Sequence, residues 1–142
     1  MQGLLYYGYY SSKYSDVLPY IYIGKDSSGR GGYAVSSRAV HLGPFKRIIV
    51  TYYNWDCPVS CTGTVSVAPV TAGNKTGSYP TGTVARGSVQ LPHSESSAST
   101  EGDAVVDVSG VNEACYIFLL VAGNWGSDSD MTKLFVKQIR FE

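Results

Sequence analysis

Two short segments combine an indole with hydrogen-bonding neighbours: Asn54-Trp55-Asp56 and Gly123-Asn124-Trp125-Gly126. An indole face stacks on the apolar face of a sugar ring, and flanking Asn and Asp side chains satisfy its hydroxyls. Each Asn-Trp pair follows an apolar run, so both belong at strand ends and could share one end of a sheet structure. Two readings are open for Trp55 and Trp125: a binding surface, or rings that plug the ends of a core.

Other chemistry is poorly served. Nucleophilic catalysis needs a Ser or Cys beside a base oriented by a third group. His41 lies between Val40 and Leu42, His93 follows Pro92, and no Gly-x-Ser-x-Gly elbow surrounds any serine. Glycoside hydrolysis needs two carboxyls across a cleft, and among Asp56, Asp103, Asp107, Asp128 and Asp130 nothing marks one pair. Asp128-Ser129-Asp130 offers part of a calcium ligand set, but a cation that wants six to eight oxygens needs more, and a solvated turn is the simpler account. Gly29-Arg30-Gly31-Gly32 lacks the Lys-Ser/Thr step of a phosphate-binding loop. No cofactor, metal or catalytic residue is expected.

Cys57 and Cys61 bracket Pro58-Val59-Ser60, where a bridge requires close Cα atoms; both reduced and bridged states are open. Cys115, in an apolar run, reads as a small buried hydrophobe.

The elements that must position such groups are strands. Side chains alternate with period two along Thr64–Ala68 and along Lys133–Phe141, and no stretch holds apolar residues at helical spacing over three turns. In the last segment strict alternation puts Leu134, Val136 and Gln138 on one side and Phe135, Lys137 and Ile139 on the other. Further strands are expected at 4–10, 20–23, 33–37, 40–42, 45–53, 83–91, 105–108 and 114–121. Polar loops are expected at 72–82 and 92–102. Eight to ten strands with regular turn signals imply an all-β fold: a two-layer antiparallel β-sandwich of jelly-roll type with little or no helix, a single domain over 1–142.

Eleven basic and eleven acidic residues cancel, and apart from Lys46-Arg47 the bases are scattered. This argues against nucleic acid and acidic membrane surfaces. No run approaches the roughly 20 apolar residues of a membrane span, and the N-terminal residues show no basic stretch leading into an apolar core. Charged residues are only 15% of the chain, so hydroxyls and amides must supply much of the polar surface. Seven of the twelve tyrosines fall between Tyr6 and Tyr22. Tyrosine suits sheet faces and subunit contacts, which makes Tyr6, Tyr7, Tyr9 and Tyr10 candidates for an oligomer interface; a sugar-stacking or receptor-contacting platform is the alternative.

Ala39-Val-His-Leu-Gly-Pro-Phe-Lys-Arg-Ile-Ile-Val50, Val106-Asp-Val-Ser-Gly-Val-Asn-Glu-Ala-Cys-Tyr-Ile-Phe-Leu-Leu-Val121 and the alternating C-terminal strand resemble steps of a known module. It is the jelly-roll module at the C-terminal ends of tail and minor structural proteins of phages and prophages of Gram-positive gut bacteria. The resemblance covers residues 39–142; the Tyr-rich 1–38 departs from it. It implies a virion tail component that contacts other virion proteins and a host-surface receptor or glycan without catalysis; at a tail-fibre tip, the low charge and the Tyr-rich start would suit the buried interface of a homotrimer. A monomeric carbohydrate-binding module of a secreted bacterial protein is the competing expectation.

Overall fold

A computed structural model describes residues 4–7, 21–25, 33–54, 60–76, 79–92, 99–123 and 132–142, with the backbone alone at 4–7, 21–25, 122–123 and 132–133. The described residues form ten strands: β1 (Leu4–Tyr7), β2 (Ile21–Lys25), β3 (Tyr33–Ser36), β4 (Val40–His41), β5 (Arg47–Asn54), β6 (Cys61–Pro69), β7 (Ala85–Leu91), β8 (Thr100–Asp107), β9 (Ala114–Gly123) and β10 (Thr132–Phe141). A 3-10 turn, Val70–Ala72, ends at Gly73 in the left-handed region, φ 85°, a conformation that glycine adopts without steric cost.

The strands make two antiparallel sheets, β1-β3-β9-β6-β7 with β4 also on β9, and β2-β10-β5-β8. Setting aside β1 and β4, the chain crosses between sheets at every step except β6 to β7. This gives the facing orders β3-β9-β6-β7 and β2-β10-β5-β8, the paired Greek keys of a jelly roll. The expected fold class is therefore observed. Segment 1–38 contributes strands to both layers, since β1 pairs with β3 and β2 with β10.

Period-two side-chain placement builds the interior. Ile48, Val50 and Tyr52 of β5 meet Val65 and Val67 of β6 and Ile117 and Leu119 of β9, with Ala104 and Val106 of β8 closing the cluster. Cys115 is fully buried, as expected for a small hydrophobe, whereas Cys57 lies outside the described residues. Tyr52 bolts the layers together. Its hydroxyl donates to the carbonyls of Thr64 at 2.9 Å and Leu120 at 3.3 Å in the opposite sheet. Burial pushes this phenol far above its ordinary value, so it remains a donor. Gly63 makes room for the ring, and Gly87 lets β7 approach β8, because a Cβ there would stand 2.1 Å from the Val105 carbonyl oxygen.

Strict alternation fails in β10. Val136 pairs with Tyr52 and Gln138 with Thr51, so Lys137 is an extra residue, a β-bulge. Ile139 thereby joins Leu134 and Val136 on the core side, and Gln138 is exposed. The reversal follows from the ladder with β5, which fixes register on both sides of the bulge.

Candidate functional site

The sites expected from sequence are only partly within the described residues. Trp55, Asp56, Asn124, Trp125, Tyr9 and Tyr10 lie outside them, as do His93, Asp128 and Asp130; Tyr6 and Tyr7 belong to β1, where only backbone is described. Asn54 is fully buried at the end of β5, and its Nδ2 donates to the Pro92 carbonyl at 2.6 Å. Its side chain ties β5 to the exit of β7. His41 is exposed and its Nδ1 accepts the Gly43 amide proton at 3.2 Å, a local turn contact.

The two outer faces differ sharply. On the β2-β10-β5-β8 sheet, two ion pairs cross between strands: Lys137 with Glu101 at 2.7 Å and Arg140 with Asp103 at 3.4 Å. Arg47 pairs with Glu142 near one end of the same sheet. Thr51 adds a 2.6 Å hydroxyl bond to Asp103. Beside these pairs the same face carries Ile49, Tyr53 and Phe135, the last two with ring centroids 6.3 Å apart.

The outer face of the other sheet is half apolar and half hydroxyl. Strand register lines up Tyr33, Leu120, Thr64 and Ser88 in one row, and Val35, Phe118, Ser66 and Arg86 in the next. Tyr33, Val35, Ala68 and Phe118 form an apolar cluster separate from the main core. The Tyr79 ring centroid is 4.7 Å from that of Tyr33, and that of Phe118 is 6.3 Å from Tyr33. Tyr33 is buried, whereas Tyr79 is 59% exposed.

Beside this aromatic row runs a groove of about 370 Å³ lined by Thr64, Ser66, Pro80, Thr83, Arg86 and Leu120. That size falls within the lower part of the range for ligand pockets. The loop that forms one wall is held by Asn74, which is only 5% exposed. Its Nδ2 donates to the carbonyls of Pro69 at 2.8 Å and Thr81 at 2.6 Å, while its Oδ1 accepts the Thr81 amide proton at 2.8 Å. The loop is thus a stapled wall placed beside the Thr64–Ser66 floor.

A second hollow, about 360 Å³, opens between Val84 and the β8–β9 turn and contains the carboxylates of Asp107 and Glu113. Both have local duties. Asp107 accepts the Ser109 hydroxyl at 2.6 Å and the Ser109 amide at 2.9 Å, and these bonds, the hydroxyl's first, hold its carboxyl below the usual value. Glu113 accepts the Thr71 hydroxyl at 3.1 Å. A general acid requires the opposite shift.

Sequence reasoning missed Tyr79, Thr83 and Arg86. The signal for Tyr79 was present: one aromatic ring in a segment otherwise made of small polar residues. Arg86 and the Thr64–Ser66 floor carry no such mark, because only strand pairing brings them together.

No protein-family model matches the chain, and no curated protein matches it. Solved structures similar in shape include two from Bacillus species. One is a glycoside hydrolase family 43 arabinoxylan arabinofuranohydrolase from Bacillus subtilis in complex with cellotetraose: 12% identity, 86% of this chain, TM-score 0.49. This chain spans 20% of that enzyme's length. The other is a β-1,3-glucan binding CBM6 from Bacillus halodurans: 15% identity, 86% of this chain, 84% of that one, TM-score 0.39. Neither is a phage component, and with TM-scores below 0.5 neither likeness bears on function.

Proposed function

We propose that this jelly roll is a non-catalytic glycan-binding module that engages sugar with the outer face of the β3-β9-β6-β7 sheet. One observation carries the reading: Tyr79, exposed and with its ring 4.7 Å from that of Tyr33, directly precedes Pro80 in the wall of a groove whose floor is hydroxyl and whose edge is a guanidinium. A sugar has the same division, with apolar C–H faces and a hydroxyl rim. The ring takes the face, and Thr64, Ser66, Thr83 and Arg86 take the rim. Rigid aromatic anchors next to small hydroxyl side chains bind at low entropic cost. Among the described residues no carboxylate lines the groove, and the two in the neighbouring hollow hold local structure, which favours binding over hydrolysis.

A groove this small gives weak contacts per copy, so multiple copies raise the effective affinity. Display on a phage tail, as a homotrimer among virion proteins, or on a secreted bacterial protein would each supply them. Glycan-array screening of the chain, multimerised on beads, tests the reading. Tyr79→Ala should weaken the best hit by about three- to tenfold, corresponding to the modest energy of one aromatic contact. A hit unaffected by Tyr79→Ala but lost in Trp55→Ala or Trp125→Ala would move the site to those indoles. The absence of any hit would end the proposal.

A further inference from the structure

We infer that the groove selects an acidic saccharide, with the carboxylate of a uronic-acid residue held by Arg86; this rests on the glycan-binding reading above. Arg47, Lys137 and Arg140 each pair with an acid, whereas Arg86 makes no ion pair among the described residues. Arg86 lines the groove together with hydroxyl and apolar residues and, among the described residues, no carboxylate. Glu101, Asp103 and Asp107 alternate with Ala104 and Val106 along β8 and so face away from the core on the opposite sheet. Among the described residues, an anion entering the groove therefore meets one guanidinium and no carboxylate on the groove wall.

The planar guanidinium fork matches a carboxylate through two parallel N–H bonds. One positive charge also balances one carboxylate, while a phosphate monoester, carrying roughly −1.5 to −2 at neutral pH, would leave charge unmet. Ser66, the register partner of Arg86, and Thr64 supply hydroxyls at the adjoining floor. The carboxylate would sit at the β7 side and the sugar ring would extend toward Tyr79.

A different role for Arg86 is available on the same strand. β7 is the last strand of its sheet, and charged side chains on edge strands deter edge-to-edge association. A lysine serves that purpose equally well but lacks the fork, so Arg86→Lys separates the two roles.

The experiment is titration calorimetry with oligogalacturonate, its fully methyl-esterified form and a neutral galactose oligomer of equal length. The wild-type chain should bind the free acid about tenfold more tightly than the ester, as expected for one charge-assisted contact near the surface. Arg86→Lys and Arg86→Gln should abolish most of that preference while still binding the ester, and Tyr79→Ala should weaken acid and ester alike. Equal wild-type affinity for acid and ester would overturn the inference and leave glycan binding standing. So would a preference that survives in Arg86→Lys. If the wild-type chain binds none of the three, and an array finds no other glycan, both this inference and the reading beneath it fall.

Discussion

Replacing Gly63 by alanine tests how tightly the two layers are bolted beneath the groove. A Cβ at Gly63 would stand 2.5, 2.6 and 2.7 Å from Cδ2, Cγ and Cε2 of Tyr52. Carbon atoms in contact prefer about 3.5–4.0 Å, so the ring must retreat by roughly 1 Å. It has little freedom to do so: Tyr52 is fully buried, and its hydroxyl is fixed to two carbonyls of the opposite sheet. Overpacking of this kind costs about 1–3 kcal/mol, and the fixed hydroxyl argues for the upper half of that range. At about 2.1 cal/mol/K per residue of unfolding entropy, 142 residues give a shift of roughly 3 °C per kcal/mol. Gly63→Ala should therefore lower Tm by about 7–10 °C. In a double-mutant cycle with Tyr52→Leu, the alanine should cost little once the ring is gone, giving a coupling of at least about 1.5 kcal/mol. Urea and thermal unfolding followed by circular dichroism measure both quantities. A loss below about 0.5 kcal/mol for Gly63→Ala, or additive losses in the double variant, would refute the packing argument.

Gly87→Ala should be more damaging than Gly63→Ala, because the added Cβ meets the Val105 backbone at 2.1 Å and a main chain has no rotamer with which to yield; the same unfolding curves rank the two. Asn74→Ala removes three hydrogen bonds from the loop wall. It should cost about 1–3 kcal/mol and speed proteolysis between residues 70 and 84, read by mass spectrometry of limited digests. Ser109→Ala removes the leading cause of the depressed Asp107 value and should raise it toward that of an ordinary aspartate in a carboxyl NMR titration. For a carboxyl held low in the folded state, the stabilisation is present above the unfolded pKa and is lost as pH falls through the folded value. The difference in stability between wild type and Ser109→Ala should therefore shrink on acidification.

The existence and order of the strands were legible in the chain because apolar and polar residues alternate wherever one face is buried. Val65 and Val67, Ile48 and Val50, and the apolar run of β9 all announce themselves in this way. Strand lengths were less legible. β8 starts at Thr100, ahead of the apolar Val105, because its backbone pairs with β5 as far as Asn54, and a hydrogen-bond ladder leaves no mark in a Thr-Glu-Gly-Asp stretch. The bulge at Lys137 was likewise invisible, since it is the β5 ladder that forces Ile139 rather than Gln138 inward.

The sequence by itself determined the fold class, the neutral overall charge and the absence of any recognisable catalytic motif, all of which depend on local pattern or composition. Only the tertiary structure decided where the candidate site lies. Thr64, Arg86, Leu120 and Tyr33 come from four strands spread over more than fifty residues, and they share one face because antiparallel pairing brings distant positions into rows. Burial also depended on the assembled fold: Asn54, which read as a ligand-facing amide, is enclosed at a strand end, and Tyr79, in a stretch that read as loop, stands exposed beside the groove.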